Sequence, residues 1–149
     1  MIGLLQRVSR ASVHVDGAEV AAIGPGLLVL VAFETGDAAQ GRQRLLQRLL
    51  GYRVFPDADG RMNRALRDTG GGLLLVPQFT LAADTRKGNR PSFSGAASPE
   101  AGRAHFEALV EAARAAHPEV GAGVFGADMA VDLVNDGPVT FWLEVPPAG

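Results

Sequence analysis

Alternating and continuous apolar runs divide the chain into strands and helices. Residues 2–8 and 12–15 read as strands, and Asp16-Gly17 marks a hairpin turn into a strand over 19–23. After the breaker Gly24-Pro25-Gly26, the unbroken apolar run from Leu27 to Phe33 predicts a strand buried on both faces. Asp37 followed by Gln40 resembles a capping box, predicting a helix to about Arg53. Leu45, Leu46, Leu49 and Leu50 form its apolar stripe, with Arg42, Arg44 and Arg48 toward solvent. A second buried strand, 73–76, runs straight into Pro77-Gln78-Phe79-Thr80-Leu81. A long loop over 82–98 follows, of a length that is often functional inside a compact domain. Ser98 as N-cap and Pro99 in the first turn start a helix to about His117, with Phe106, Leu109, Val110 and Ala113 facing the core. Two β-branched stretches, 129–134 and 139–145, close the chain around Asn135-Asp136-Gly137-Pro138, which reads as a hairpin turn. The prediction is an α+β fold: mainly antiparallel β-sheets layered with two helices on one side, in a single compact domain over residues 1–145. Residues 146–149 read as a C-terminal tail.

Composition narrows the class. A chain of 149 residues with 47% hydrophobic and 20% charged residues is globular and large enough for a core. No apolar run reaches membrane-spanning length and the N-terminus lacks a signal-peptide layout, so a cytoplasmic enzyme without membrane partners is expected. The chain has no cysteine, which removes disulfides, thiolate nucleophiles and cysteine metal sites. A net charge of −2 gives no broad basic field for long duplexes, so DNA is not expected as a partner. Asp57-Ala58-Asp59-Gly60 lacks the remaining ligands of a calcium loop, and no metal site is expected.

The search for a conventional hydrolase centre fails. There is no Gly-x-Ser-x-Gly elbow, and His14, His105 and His117 lie in a strand, mid-helix and at a helix end, away in sequence from a serine or carboxylate partner. Three other segments form a constellation. Gln78-Phe79-Thr80 sits at the exit of a buried strand, where backbone amides outside the ladder can donate to a carbonyl or oxyanion. Gly88-Asn89-Arg90-Pro91-Ser92-Phe93 is a polar loop with a cation and an aromatic ring. Gly137-Pro138 combines the freest backbone residue with the one bond type that goes cis at modest cost, a way to present two fixed carbonyl acceptors without a side chain. Phe125 and Met129, just upstream, suit a flat nucleobase or ordinary core packing.

Taken together, these segments resemble the bacterial and eukaryotic D-aminoacyl-tRNA deacylases. The resemblance runs from Met1 to about Val145 and is carried by Gln6-Arg7-Val8, Gly26-Leu27-Leu28-Val29-Leu30, Gly51-Tyr52-Arg53-Val54-Phe55, Gln78-Phe79-Thr80-Leu81, Arg90-Pro91-Ser92-Phe93, Phe125-Gly126-Ala127-Asp128-Met129 and Asn135-Asp136-Gly137-Pro138-Val139-Thr140. It implies a cofactor-free homodimer that hydrolyses the ester joining a D-amino acid, or glycine on tRNA-Ala, to the 3′ adenosine of tRNA. It implies that Gly137 and Pro138, as a Gly-cisPro pair, enter the partner subunit's site and exclude L side chains. Arg7 would brace that motif. Gln78, Phe79 and Thr80 would form the catalytic pocket, Phe125 and Met129 would hold the adenine, and the ribose 2′-hydroxyl would help activate water. Arg86, Lys87 and Arg90 are the candidate phosphate contacts. One position departs from the family: Pro77 replaces the usual serine before Gln-Phe-Thr. Two other classes stay open on residues alone: a non-catalytic tRNA- or protein-binding module of this fold, and a small-molecule hydrolase using His14.

Overall fold

The fold was obtained as a computed structural model and is described for residues 1–147; the last two residues of the predicted tail, 148 and 149, lie outside the described residues. The elements in order are β1 (Ile2–Val15), β2 (Ala18–Ile23), β3 (Gly26–Ala32), α1 (Ala39–Gly51), β4 (Phe55–Pro56), β5 (Met62–Arg64), α2 (Leu66–Thr69), β6 (Gly72–Pro77), a 3-10 turn (Phe79–Ala82), α3 (Pro99–Ala116), β7 (Val120–Ala122) and β8 (Ala130–Glu144). The main sheet has the order β2-β1-β3-β6-β7, with β8 paired along the other edge of β1. The architecture is α+β, mostly sheet with three helices.

Alternation along the central strands builds two cores. Leu27, Val29, Val31, Leu73 and Leu75 face α1 and α3, packing on Leu45, Leu49, Phe106, Leu109 and Ala113. Leu28, Leu74 and Val76 face the opposite way and join Val8, Ala11, Val13 and Ile23. The sheet curls enough for β2 to touch β6 and β7, so the second core is enclosed by strands alone. Both faces of β3 and β6 are therefore buried, as their unbroken apolar runs predict.

Several expectations change. The central pairings β3–β6 and β6–β7 are parallel, although β1 pairs antiparallel with β2, β3 and β8. The crossover from β3 to β6 carries α1, β4, β5 and the short third helix α2. The two opening strands are one strand, because the pairing with β8 shifts register at exposed Ser9 and resumes at Arg10 rather than ending. Asp37 does not cap α1. The helix starts after Ala38 with no side-chain cap and ends at Gly51, while Asp37 accepts from the Met1 ammonium at 3.0 Å and from the Glu34 amide at 2.6 Å. Ser98 does cap α3, its hydroxyl accepting from the Ala101 amide at 3.2 Å. No helix among the described residues is long and apolar enough to cross a membrane.

The largest correction concerns the end of the chain. Residues 129–134 and 139–145 do not form a hairpin. All but Met129 and Val145 belong to one strand, β8, that keeps its direction along β1. Gln6 pairs with Thr140 and Val8 with Asn135, so residues 136–139 stand opposite Arg7 alone. Gly137-Pro138 is thus the tip of a wide bulge in a sheet-edge strand.

Candidate functional site

The bulge is fixed by polar contacts from both of its ends. The Asn135 carboxamide accepts from the Val139 amide at 3.0 Å and donates to the Thr140 hydroxyl at 2.8 Å. Arg7, the residue facing the bulge, donates from Nε to the Asp136 carbonyl at 3.2 Å and from Nη1 to the Val54 carbonyl at 2.7 Å. It also lies 3.4 Å from the Asp136 carboxylate. The Gly137–Pro138 peptide is cis, and Gly137 has φ = +129°, a region that L side chains rarely adopt. A Cβ there would sit 2.8 Å from Val139 Cγ2 and 3.1 Å from Arg7 Nη2. Both motif residues remain exposed.

A second constellation forms at the C-terminal ends of the parallel strands, the edge where open α/β sheets place ligands. A cavity of about 470 Å³ is lined by Val31, Phe33, Val76, Pro77, Gln78, Phe79, Phe125 and Met129 among others. Four of the predicted site residues, Gln78, Phe79, Phe125 and Met129, therefore meet there. Thr80 is exposed in the first turn after Gln78, and its hydroxyl accepts from the Gln78 carboxamide. The Gln78 amide is occupied, donating to the Val31 carbonyl at 2.7 Å. The amides of Phe79 and Thr80 open a helical turn and have no acceptor within it, so they are the two donors available to a ligand.

Phe125 closes one wall. Its ring lies under the Arg103 guanidinium at 5.1 Å and beside Phe106 at 6.5 Å. Gly102 of α3 makes room for it, since a Cβ there would be 3.2 Å from Phe125 Cζ. Met129 Sδ accepts from the Val124 amide at 3.4 Å, which orients its thioether. Gly102 and Arg103 were not legible as site residues, because each follows from helix packing rather than from a local motif.

Pro77 has a structural account. Alternate residues of β6 address alternate neighbours: Gln78 donates toward β3, while Leu73 donates to Glu119 and Leu75 accepts from Gly123 on the β7 side. The nitrogen of Pro77 faces the β7 side, one step past Leu75, so proline ends the run of donors toward β7 and leaves the Gln78 bond to β3 intact.

The three candidate cations differ. Arg86 is held by Asp84 through Nε at 2.9 Å and Nη2 at 2.8 Å, and its guanidinium holds the Asp84 carboxyl down to about 2. Lys87 and Arg90 sit exposed on the same loop and, among the described residues, pair with no carboxylate. The histidines stay out of the cavity lining. His117 is buried against the Gly71 carbonyl at 2.6 Å. His105 stacks on Phe33 and accepts from Arg42 at 2.7 Å; burial, then the Arg42 charge, lowers its pKa. His14 lies in β1, opposite Glu19 and Ala130.

The bulge and the cavity remain separate within one chain, as neither Arg7, Gly137 nor Pro138 lines the cavity. Comparison with known proteins shows the family of the chain as a whole. Residues 4–144 match the family model described as D-Tyr-tRNA(Tyr) deacylase. The D-aminoacyl-tRNA deacylase of Thioalkalivibrio sulfidiphilus is 65% identical over 147 residues, covering 99% of each chain. That of Methylococcus capsulatus is 64% identical, covering 99% of this chain and 96% of the relative. A solved structure titled c-Myc DNA Unwinding Element Binding Protein is 36% identical with a TM-score of 0.94, covering 98% of this chain and 99% of that one. A structure of a probable eukaryotic D-amino acid tRNA deacylase, 19% identical over 97% of this chain and 98% of that one, shares the fold with a TM-score of 0.82. With matches of this extent and identity, the chain belongs to the D-aminoacyl-tRNA deacylase family, a family of enzymes.

Proposed function

We propose that the chain works as a homodimeric chiral proofreading esterase in which the cavity of one subunit is completed by the Gly137-Pro138 bulge of the other. The observation that carries this reading is the separation just described: a rigid, exposed, side-chain-free motif that does not line its own chain's cavity. Among the described residues, the long strand β8 pairs only with β1, and it exposes Val134 and Trp142. An uncovered strand of this length invites pairing with another chain. A second copy on this edge would protect it and deliver the bulge.

In this reading the terminal adenine packs between Phe125 and Met129. The ester carbonyl points to the Phe79 and Thr80 amides. Water, activated with help from the ribose 2′-hydroxyl, adds to the carbonyl carbon. The two amides hold the oxyanion, each such donor being worth roughly 3 kcal/mol in related acyl transfers. Collapse breaks the bond to the ribose 3′-oxygen, releasing the amino acid and leaving tRNA with a free hydroxyl. No cofactor or side-chain base is required. The Gly137 and Pro138 carbonyls occupy the place an L side chain would need, while hydrogen is admitted, so D-amino acids and glycine pass. Glycine removal from tRNA-Ala follows from the same exclusion. The enzyme acts in the cytoplasm, where its substrate is made.

Mixing two inactive variants tests the shared site. A Gly137→Ala subunit keeps an intact cavity, and a Thr80→Pro subunit, which loses one of the two oxyanion amides, keeps an intact bulge. In a mixed dimer one site combines both intact parts, so co-refolded protein is expected to regain deacylation that neither parent shows. A mixture as inactive as its parents places motif and cavity in the same subunit and ends this reading.

Pro77→Ser provides a second check. Gln78, Phe79, Phe125 and Met129 all meet at the cavity with proline at position 77, so restoring the family's serine is expected to change kcat/KM by less than about tenfold. A gain above about a hundredfold, roughly 3 kcal/mol of transition-state stabilisation, would assign the missing hydroxyl an essential role.

A further inference from the structure

Phe79 and Phe93 are large apolar side chains left in solvent, 58% and 39% exposed. Their ring centroids lie 5.2 Å apart at an interplanar angle of 51°. Phe79 lines the cavity and Phe93 does not, so the pair carries an aromatic surface from the cavity mouth outward. Neither ring belongs to a buried cluster.

The backbone holding Phe93 is pinned on both sides. Asp84 and Ser92 exchange amide–carbonyl bonds at 2.7 and 3.0 Å, and Ala97 donates to the Phe33 carbonyl at 3.0 Å. Thr35 donates to the Gly95 carbonyl at 3.0 Å, and Ala96 to that of Phe93 itself at 3.0 Å. An exposed ring on a pinned backbone is pre-organised for contact, which lowers the ordering cost of binding. The same loop carries Lys87 and Arg90, the two cations left without a carboxylate, whereas Arg86 is neutralised by Asp84. Aromatic faces flanked by unpaired cations form the surface on which single-stranded nucleic acid stacks.

The geometry points to the Phe79–Phe93 pair as a stacking platform for the nucleobase immediately 5′ to the terminal adenosine of the substrate, with Lys87 and Arg90 near its phosphates. This deepens the proposed function and rests on the adenosine lying against Phe125 and Met129. Phe79 then stands between the two nucleotides, and Phe93 serves only the second. Such a platform reads no sequence, because every base has a stacking face. It suits an enzyme that must accept many tRNAs sharing one single-stranded end.

The experiment compares two substrates: the D-tyrosyl ester of adenosine, and the D-tyrosyl ester of a cytidine-adenosine dinucleotide. Wild-type protein is expected to gain at least about fivefold in kcat/KM from the added nucleotide, the lower end of one base stacked on one ring. Phe93→Ala should lose that gain, and Phe93→Tyr should keep it. Titration of uncharged cytidine-adenosine dinucleotide should show the same order of affinities without turnover. The proposal is overturned if Phe93→Ala retains the gain, or if Phe93→Ala weakens both substrates equally while shifting the protein to monomer, which would make the pair a subunit contact. Cleavage of neither substrate by wild-type protein counts against the proposed reaction. In that case the binding titration still decides the platform: loss of dinucleotide affinity in Phe93→Ala supports it, and unchanged affinity ends it.

Discussion

Gly137→Ala is expected to lose about a hundredfold or more in deacylation while the protein stays folded. Two independent features of the residue require it. Its φ of +129° is costly for any side chain, and the new Cβ would stand 2.8 Å from Val139 Cγ2 and 3.1 Å from Arg7 Nη2. Val139 is held by Asn135 and Arg7 by two carbonyls, so neither yields freely. The bulge must move instead. Strain of this kind costs roughly 1–3 kcal/mol in stability. The rate suffers more, since a shift of about 1 Å in a positioning group can cost about a hundredfold. The bulge lies at a sheet edge with both residues exposed, so the cores remain intact. Circular dichroism and a melting curve beside the deacylation rate check this. Wild-type activity in Gly137→Ala would show that the bulge takes no part in the reaction.

Arg7→Ala is expected to lower both activity and stability. Its guanidinium joins two segments far apart in sequence, the Asp136 carbonyl at the base of the bulge and the Val54 carbonyl at the end of the α1 region. Val54 is fully buried, so truncation leaves its carbonyl in need of a donor. An acceptor left in that state costs about 1–3 kcal/mol, or a fall in Tm of roughly 2–12 °C in a domain of this size. The contact with the exposed Asp136 carboxylate adds little. The freed bulge should cost about a further hundredfold in kcat. Arg7→Lys should recover only part of either loss, because an ammonium cannot reproduce the guanidinium's fixed donor geometry. Full rescue by lysine would reduce the role of Arg7 to charge alone.

Much of the fold was legible because burial writes a period into the chain. The unbroken runs at Leu27 and Leu73 marked strands covered on both faces, and Leu45, Leu46, Leu49 and Leu50 marked the inner face of α1. The parallel pairing of those strands was not extracted, although two-sided burial is its usual companion. The bulge was misread for a plain reason: Asn-Asp-Gly-Pro is turn chemistry, and only the register of β8 against β1 shows that the chain continues forward. Asp37 looked like a cap because capping is local, whereas its actual partner, the Met1 ammonium, is brought by tertiary packing.

The site was legible as segments and not as an arrangement. Gln78, Phe79, Phe125 and Met129 were chosen from motifs, and the cavity brings them together. Occupation of the Gln78 amide by Val31 had no sequence signal, since it depends on the parallel register. Capture of Arg86 by Asp84 was available, two residues apart in a loop, and went unread. That pairing leaves Lys87 and Arg90 as the cations free to meet phosphate.

Removal of D-amino acids from tRNA with L-amino acids spared is the activity proposed for this chain. The most direct measurement is deacylation of D-Tyr-tRNA and L-Tyr-tRNA by the same enzyme at the same concentration. Rapid loss of the D ester is expected, with the L ester intact over the same interval. Equal cleavage of the two esters, or cleavage of neither, would contradict it.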